Sequence, residues 1–133
     1  MFNDLIGIPY VAGGRNKKGL DCYGLVEEVF KRYEIYVPPY DVARTALEAI
    51  NYDLKLCGDF IWSERKQWER LKERELPCLV LMALGIPGFY HHVGVYIGGD
   101  KIIHTRKNMS VCIEKLTAPL YIRREKRYYK YVE

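Results

Sequence analysis

Apolar positions along this chain change period once, from helical spacing in the first half to strand-like alternation in the second. Leu25, Val26, Val29, Phe30 and Tyr33 fall on the i, i+1, i+4, i+5, i+8 stripe of a helix with one buried face. The spacing predicts a helix from Asp21 or Cys22 to about Tyr33. Asp21 is a natural N-cap, because its carboxylate accepts bonds from the unpaired N–H groups of the first turn. Pro38 and Pro39 end the next connection, and a second helix is predicted from about Asp41 to Leu56, with Val42, Ala46, Leu47 and Ile50 on one side. Ahead of both, residues 6–20 read as a loop punctuated by Gly7, Gly13, Gly14 and Gly19, with a basic patch at Arg15, Lys17 and Lys18.

The second half reads as strands. Cys78 to Leu84 is a short apolar run, and His92 to Gly98 is rich in β-branched and aromatic residues. Lys101 to Thr105 and Ser110 to Lys115 follow after turns, and Tyr128 to Val132 forms a last strand. Residues 58–76 fit neither pattern, although Trp62 and Trp68 suggest aromatic anchors among charges. Helices followed by consecutive strands imply an α+β fold with N-terminal helices packed on an antiparallel sheet. Without repeats, low-complexity tracts or linkers, residues 1–133 read as one domain.

Composition narrows the function classes. At 133 residues and 49% apolar content the chain is long enough for a real core. A formal charge of +4 helps approach to an anionic polymer, but basic side chains are not concentrated as a nucleic-acid site requires. The basic stretch from Tyr121 to Glu133 reads as a solvated face. No apolar run approaches the roughly 20 residues of a membrane-spanning helix. Met1 to Tyr10 lacks a basic n-region and carries Asp4, so synthesis in the cytoplasm without a signal peptide is expected. The cysteines are Cys22, Cys57, Cys78 and Cys112, none in a C-x-x-C pair. Cys57, Cys78 and Cys112 read as structural.

Cys22 differs in its setting. At a helix start, unpaired N–H groups and the positive dipole end favour the thiolate, the nucleophilic form of the side chain. The same place also suits a small buried residue, and the histidines, which could themselves be ordinary strand residues near a sheet end, shift the balance toward a nucleophile. His91 and His92 are adjacent on a strand and point to opposite faces. If Gly98, Gly99 and Asp100 make a three-residue hairpin loop, Ile97 faces Lys101 and Gly94 faces His104. His92 and His104 are then diagonal neighbours on one face, about 7–8 Å apart at the backbone. One imidazole acts as base while the other orients it, the logic of a catalytic triad. A zinc site built from Cys22, His92 and His104 is the other option, and it fits less well because structural zinc uses ligand pairs close in sequence.

These motifs resemble a known family. Gly7-Ile8-Pro9-Tyr10, Gly13-Gly14, Gly19, Asp21-Cys22 with Gly24-Leu25-Val26, His92-Val93-Gly94-Val95-Tyr96-Ile97-Gly98 and Ile102-Ile103-His104 are similar to the NlpC family of papain-like cell-wall peptidases. The resemblance implies Cys22 as nucleophile, His92 as general base and His104 as the orienting third residue. It implies Tyr10 beside the oxyanion site and Asp21 in substrate recognition, with no metal or cofactor. The implied reaction is cleavage of peptidoglycan stem peptides, often between D-γ-glutamate and a diamino acid. Tyr23 stands where many free-standing wall hydrolases carry serine, a residue that shapes the substrate pocket. With Val37-Pro38-Pro39-Tyr40, Trp68 and the aromatic–basic end, this resembles the phage tail-associated branch. That branch implies a virion-tail location, action at the host cell wall and other tail-tip proteins as partners. Two further readings keep the fold: a tail-tip assembly part with little catalysis, and acyl transfer or amide hydrolysis on another substrate.

Overall fold

A computed structural model describes residues 1–37, 68–83 and 92–132. The predicted second helix, Cys57, Trp62 and His91 lie outside the described residues. The first helix, α1 (Cys22–Lys31), forms where its apolar stripe predicts. Asp21 caps it, accepting the Gly24 N–H at 2.7 Å. At the other end Glu34 takes a left-handed φ of 62°, and the Ile35 N–H donates back to the Phe30 carbonyl at 3.0 Å. That closing bond ends the helix. Gly24 lets α1 sit against the preceding loop, since a Cβ there would collide with the Gly14 carbonyl oxygen.

The glycine-rich loop is more ordered than its composition suggests. It contains a short hairpin, β1 (Arg15–Asn16) and β2 (Gly19–Leu20). Residues 7–11 run beside residues 109–111, tied by Gly7 N–H to the Val111 carbonyl, Val111 N–H to the Ile8 carbonyl and Tyr10 N–H to the Met109 carbonyl. This places Tyr10 near the second half of the chain, and Tyr10 also bridges to Leu20, just ahead of Cys22.

Six antiparallel strands make the main sheet: β3 (Trp68–Leu71), β4 (Cys78–Met82), β5 (His92–Tyr96), β6 (Lys101–His104), β7 (Cys112–Lys115) and β8 (Lys126–Tyr131). Their spatial order is β3-β8-β4-β5-β6-β7. The α+β class thus appears in the sheet and, among the described residues, in a single helix rather than several. Trp68 belongs to β3, in a segment that the sequence pattern left unassigned. The last strand does not extend the sheet at its edge but sits between β3 and β4.

Side-chain alternation explains the core. Leu79, Leu81, Val93, Val95 and Ile103 pack with Leu25, Val26, Val29 and Phe30 of α1. Val80, Met82 and Ile102 point the other way and pack with Leu116 and Tyr121. β4 is therefore covered on both faces, which is why it reads as an unbroken apolar run. Trp68 closes one side, edge-on to Phe30 and Tyr131 with centroids 5.6 and 5.2 Å away. The β5–β6 hairpin has the expected register, with Gly94 opposite His104. Its loop uses φ values of 90°, 59° and 58° at Gly98, Gly99 and Asp100, and Ile97 N–H bonds the Lys101 carbonyl. An ion pair between Arg74 and Asp100 holds that turn.

Candidate active site

His92 opens β5 and His104 closes β6, so the hairpin brings both to the sheet end away from its loop. Gly94, opposite His104, makes room for the ring: a Cβ there would approach the His104 Cβ to 3.1 Å. The His92 Nε2 and His104 Nδ1 atoms are 2.7 Å apart, a hydrogen bond between two buried rings. Beyond it the chain of contacts continues. His104 Nε2 lies 2.8 Å from Glu114 Oε1, and the Tyr121 hydroxyl donates to that same oxygen at 2.8 Å. The Cys112 thiol donates to it more weakly, at 3.7 Å.

Burial and charge set the protonation of this network. Burial pushes the His104 imidazole below its ordinary value, outweighing the pull of Glu114. Burial works to raise the Glu114 carboxyl, but the bonds from Tyr121 and His104 bring it below its ordinary value. The Tyr121 hydroxyl is pushed up by burial and then by the carboxylate. Burial and the Glu114 charge push the Cys112 thiol up to about 11. At neutral pH the network is one carboxylate, a neutral His104 and two protonated donors.

Cys22 is the first residue of α1, and α1 packs against β5, the strand of His92. Cys22 is buried in the same apolar cluster as Val93. Asp21, fully buried, accepts from Gly24 N–H at 2.7 Å, Gly13 N–H at 2.9 Å and Arg15 Nη1 at 2.5 Å. The Arg15 guanidinium also lies over the Tyr23 ring, 5.6 Å from its centroid. Tyr23 is 1% exposed and presents no surface to a groove. Tyr10 does: with Pro9, Ala12, Lys107, Met109 and Ser110 it lines an open cleft of about 600 Å³.

The histidine pair was legible in the sequence; Glu114, Tyr121 and Cys112 were missed. Cys112 pairs with His104 across β6 and β7, which puts Glu114 on the same face as a diagonal neighbour. Alternation along Ser110 to Lys115 carries that signal, but the connection after His104 is too long for the turn to set the register. Tyr121 lies in a turn segment where no period applies. His104, Cys112 and Glu114 also bring three metal-type donors within 4.8 Å of one another. Here both His104 nitrogens and the Cys112 thiol are engaged in the hydrogen-bond network.

The NlpC/P60 family model matches residues 7–130, nearly the whole chain. The chain belongs to the NlpC/P60 family. It is 29% identical over 119 residues to a gamma-D-glutamyl-L-lysine dipeptidyl-peptidase of Bacillus subtilis, covering 87% of this chain and 34% of that protein. It is 27% identical over 126 residues to the murein DD-endopeptidase MepS/murein LD-carboxypeptidase of Escherichia coli, covering 92% of this chain and 55% of that protein. The chain thus spans between a third and just over half of these relatives. Among solved structures, the NlpC/p60 domain of peptidoglycan hydrolase SagA superposes with a TM-score of 0.50 at 21% identity, over 92% of this chain and 87% of that one. This likeness supports the papain-like NlpC/P60 fold. NlpC/P60 peptidases are cysteine peptidases, and these two relatives are a gamma-D-glutamyl-L-lysine dipeptidyl-peptidase and a murein endopeptidase/carboxypeptidase.

Proposed function

We propose that this NlpC/P60 chain is a thiol peptidase that cleaves peptidoglycan stem peptides, with Cys22, His92 and His104 as its catalytic residues. The observation that carries this reading is the 2.7 Å His92–His104 bond on a strand packed against the helix that Cys22 opens. In the proposed reaction His92 takes the thiol proton and the Cys22 sulfur attacks the amide carbonyl. The C–N bond then breaks, the amine leaves with the proton from His92, and a thioester remains. Water hydrolyses the thioester, passing a proton back through His92 to the sulfur. The backbone N–H of Cys22 and the Tyr10 hydroxyl stabilise the oxyanion.

The cleft lined by Tyr10 and Lys107 is the proposed seat for part of the peptide, where the lysine favours carboxylates; Cys22, His92 and His104 are not among its lining residues. Asp21 and Tyr23, both buried, hold the Gly13 loop and Arg15 in place. The D-γ-glutamyl–diamino acid bond is the proposed scissile bond, in keeping with the gamma-D-glutamyl-L-lysine dipeptidyl-peptidase of Bacillus subtilis to which the chain is similar. We further propose delivery on a phage or prophage tail, a setting supported by Tyr23 after the nucleophile and by the aromatic–basic end of the sequence. Immunodetection in purified particles tests that setting.

Mass spectrometry of digested peptidoglycan tests the reaction. The wild-type protein is expected to release stem-peptide fragments, and Cys22→Ala to release none. Equal release by both proteins would overturn the mechanism, and no release by either would leave the fold as an assembly part.

A further inference from the structure

We propose that Glu114, aided by the Tyr121 hydroxyl, fixes the ring tautomers of both histidines and thereby makes Nδ1 of His92 the basic nitrogen. This rests on the thiol-peptidase reading for its purpose, though its geometry stands alone. An ionised carboxylate only accepts hydrogen bonds. At 2.8 Å from Glu114 Oε1, His104 Nε2 must therefore carry a proton, since two lone pairs at that distance would repel. Tyr121 donates to the same oxygen, so the carboxylate is held in its accepting role from a second side.

The next step follows from burial. His104 is wholly enclosed, where a second ring proton and its charge are costly. Arg106 nearby adds to that cost. A neutral His104 protonated at Nε2 keeps its lone pair on Nδ1, and that atom faces His92 Nε2 at 2.7 Å. His92 Nε2 must then be the donor, so the lone pair of a neutral His92 is on Nδ1. One surface-reaching carboxylate thus dictates which atom of a ring two bonds away can take a proton. When His92 becomes an imidazolium, its Nε2–H points along a chain that ends in a negative charge, and no proton needs to leave either ring. Glu114 and Tyr121 are positioning residues, because they act through His104.

Long-range proton–nitrogen NMR of histidine-labelled protein tests this, because ring nitrogens with and without a proton differ widely in shift. The chain has three histidines, so single His→Gln variants assign the signals. Near neutral pH, His92 and His104 are both expected to be protonated at Nε2. In Glu114→Gln the side-chain amide can donate to His104, so His104 should move toward Nδ1–H and His92 should follow. The kcat on muropeptides should fall about 10- to 100-fold with KM little changed, by analogy with the loss of the outer hydrogen-bond partners that orient metal-bound imidazoles. Tyr121→Phe should produce the same changes in weaker form. A wild-type His104 protonated at Nδ1 would overturn the proposal, and so would Glu114→Gln with unaltered tautomers, whatever its rate. Expected tautomers in a wild-type protein that cleaves no muropeptide would support the Glu114 assignment and refute the peptidase reading instead.

Discussion

Three thiols in the described part of the molecule have different chemistry because their surroundings differ. Burial pushes Cys78 up to about 11, and burial with the Glu114 charge does the same to Cys112. Cys22 is buried too, but it opens α1 and so lies at the positive end of the helix dipole, a position that favours the nucleophilic form of a thiol. Iodoacetamide at pH 7, followed by peptide mapping, should therefore label Cys22 at least about tenfold faster than Cys78 or Cys112. Equal rates for Cys22 and Cys112 would remove the case for Cys22 as nucleophile. Gly94 offers a second test. A methyl group at this position presses on the Cβ of His104 at 3.1 Å, so Gly94→Ala should displace the ring and lower kcat about tenfold or more. The accompanying stability loss should be only about 1 kcal/mol, measured by urea denaturation. At this scale the sequence was informative where a loop length tied two residues together: Gly98 to Asp100 set the register that joined His92 to His104. It was silent on Glu114, because the long connection after His104 left the next register open.

Elements were legible in proportion to their length and to the strength of their end signals. α1 has a capping aspartate and a full apolar stripe, and it forms within two residues of its predicted end. The two-residue strands β1 and β2 are too short to show a period, and their loop was read only as glycine-rich. Asp21 joins the two elements, since one carboxylate caps the helix and anchors Gly13 and Arg15 of the loop. Asp21→Ala should cost about 2 kcal/mol: roughly one from the lost cap and roughly one from the loop donors left unpaired. Asp21→Asn keeps one acceptor for the Gly24 N–H and should lose about half as much. Urea melts of the two variants check the order, and equal losses would show that the loop contacts contribute everything.

Across the whole molecule, the buried network ties stability to acidity. His104 has a folded value below its ordinary 6.5, so below pH 6.5 the unfolded chain binds a proton that the folded one refuses. Stability contributed there is lost as pH falls from 6.5 toward the depressed value. The Glu114 contribution is present above its ordinary 4.5 and is lost as pH falls through its lower folded value. Asp4, held at about 2 by Arg32, follows in the same direction at stronger acid. The Tm should thus decline in stages from pH 6.5 to pH 3, and His104→Gln should remove the first stage; a flat wild-type Tm between pH 6.5 and 5 would contradict this. Fold class was readable from helix-then-strand order, but strand neighbours were not, because alternation says which way a side chain points and nothing about which strand lies alongside. The place of β8 between β3 and β4 shows what that hides. While the ribosome is still making residues 126–131, β3 lacks its ladder partner among the described residues and the apolar β4 has one flank without its described neighbour. The nascent polypeptide must shelter these two sticky edges until residues 126–131 slot between them. A fragment ending before Lys126 should therefore clump, and a synthetic peptide of residues 126–132 should rescue it.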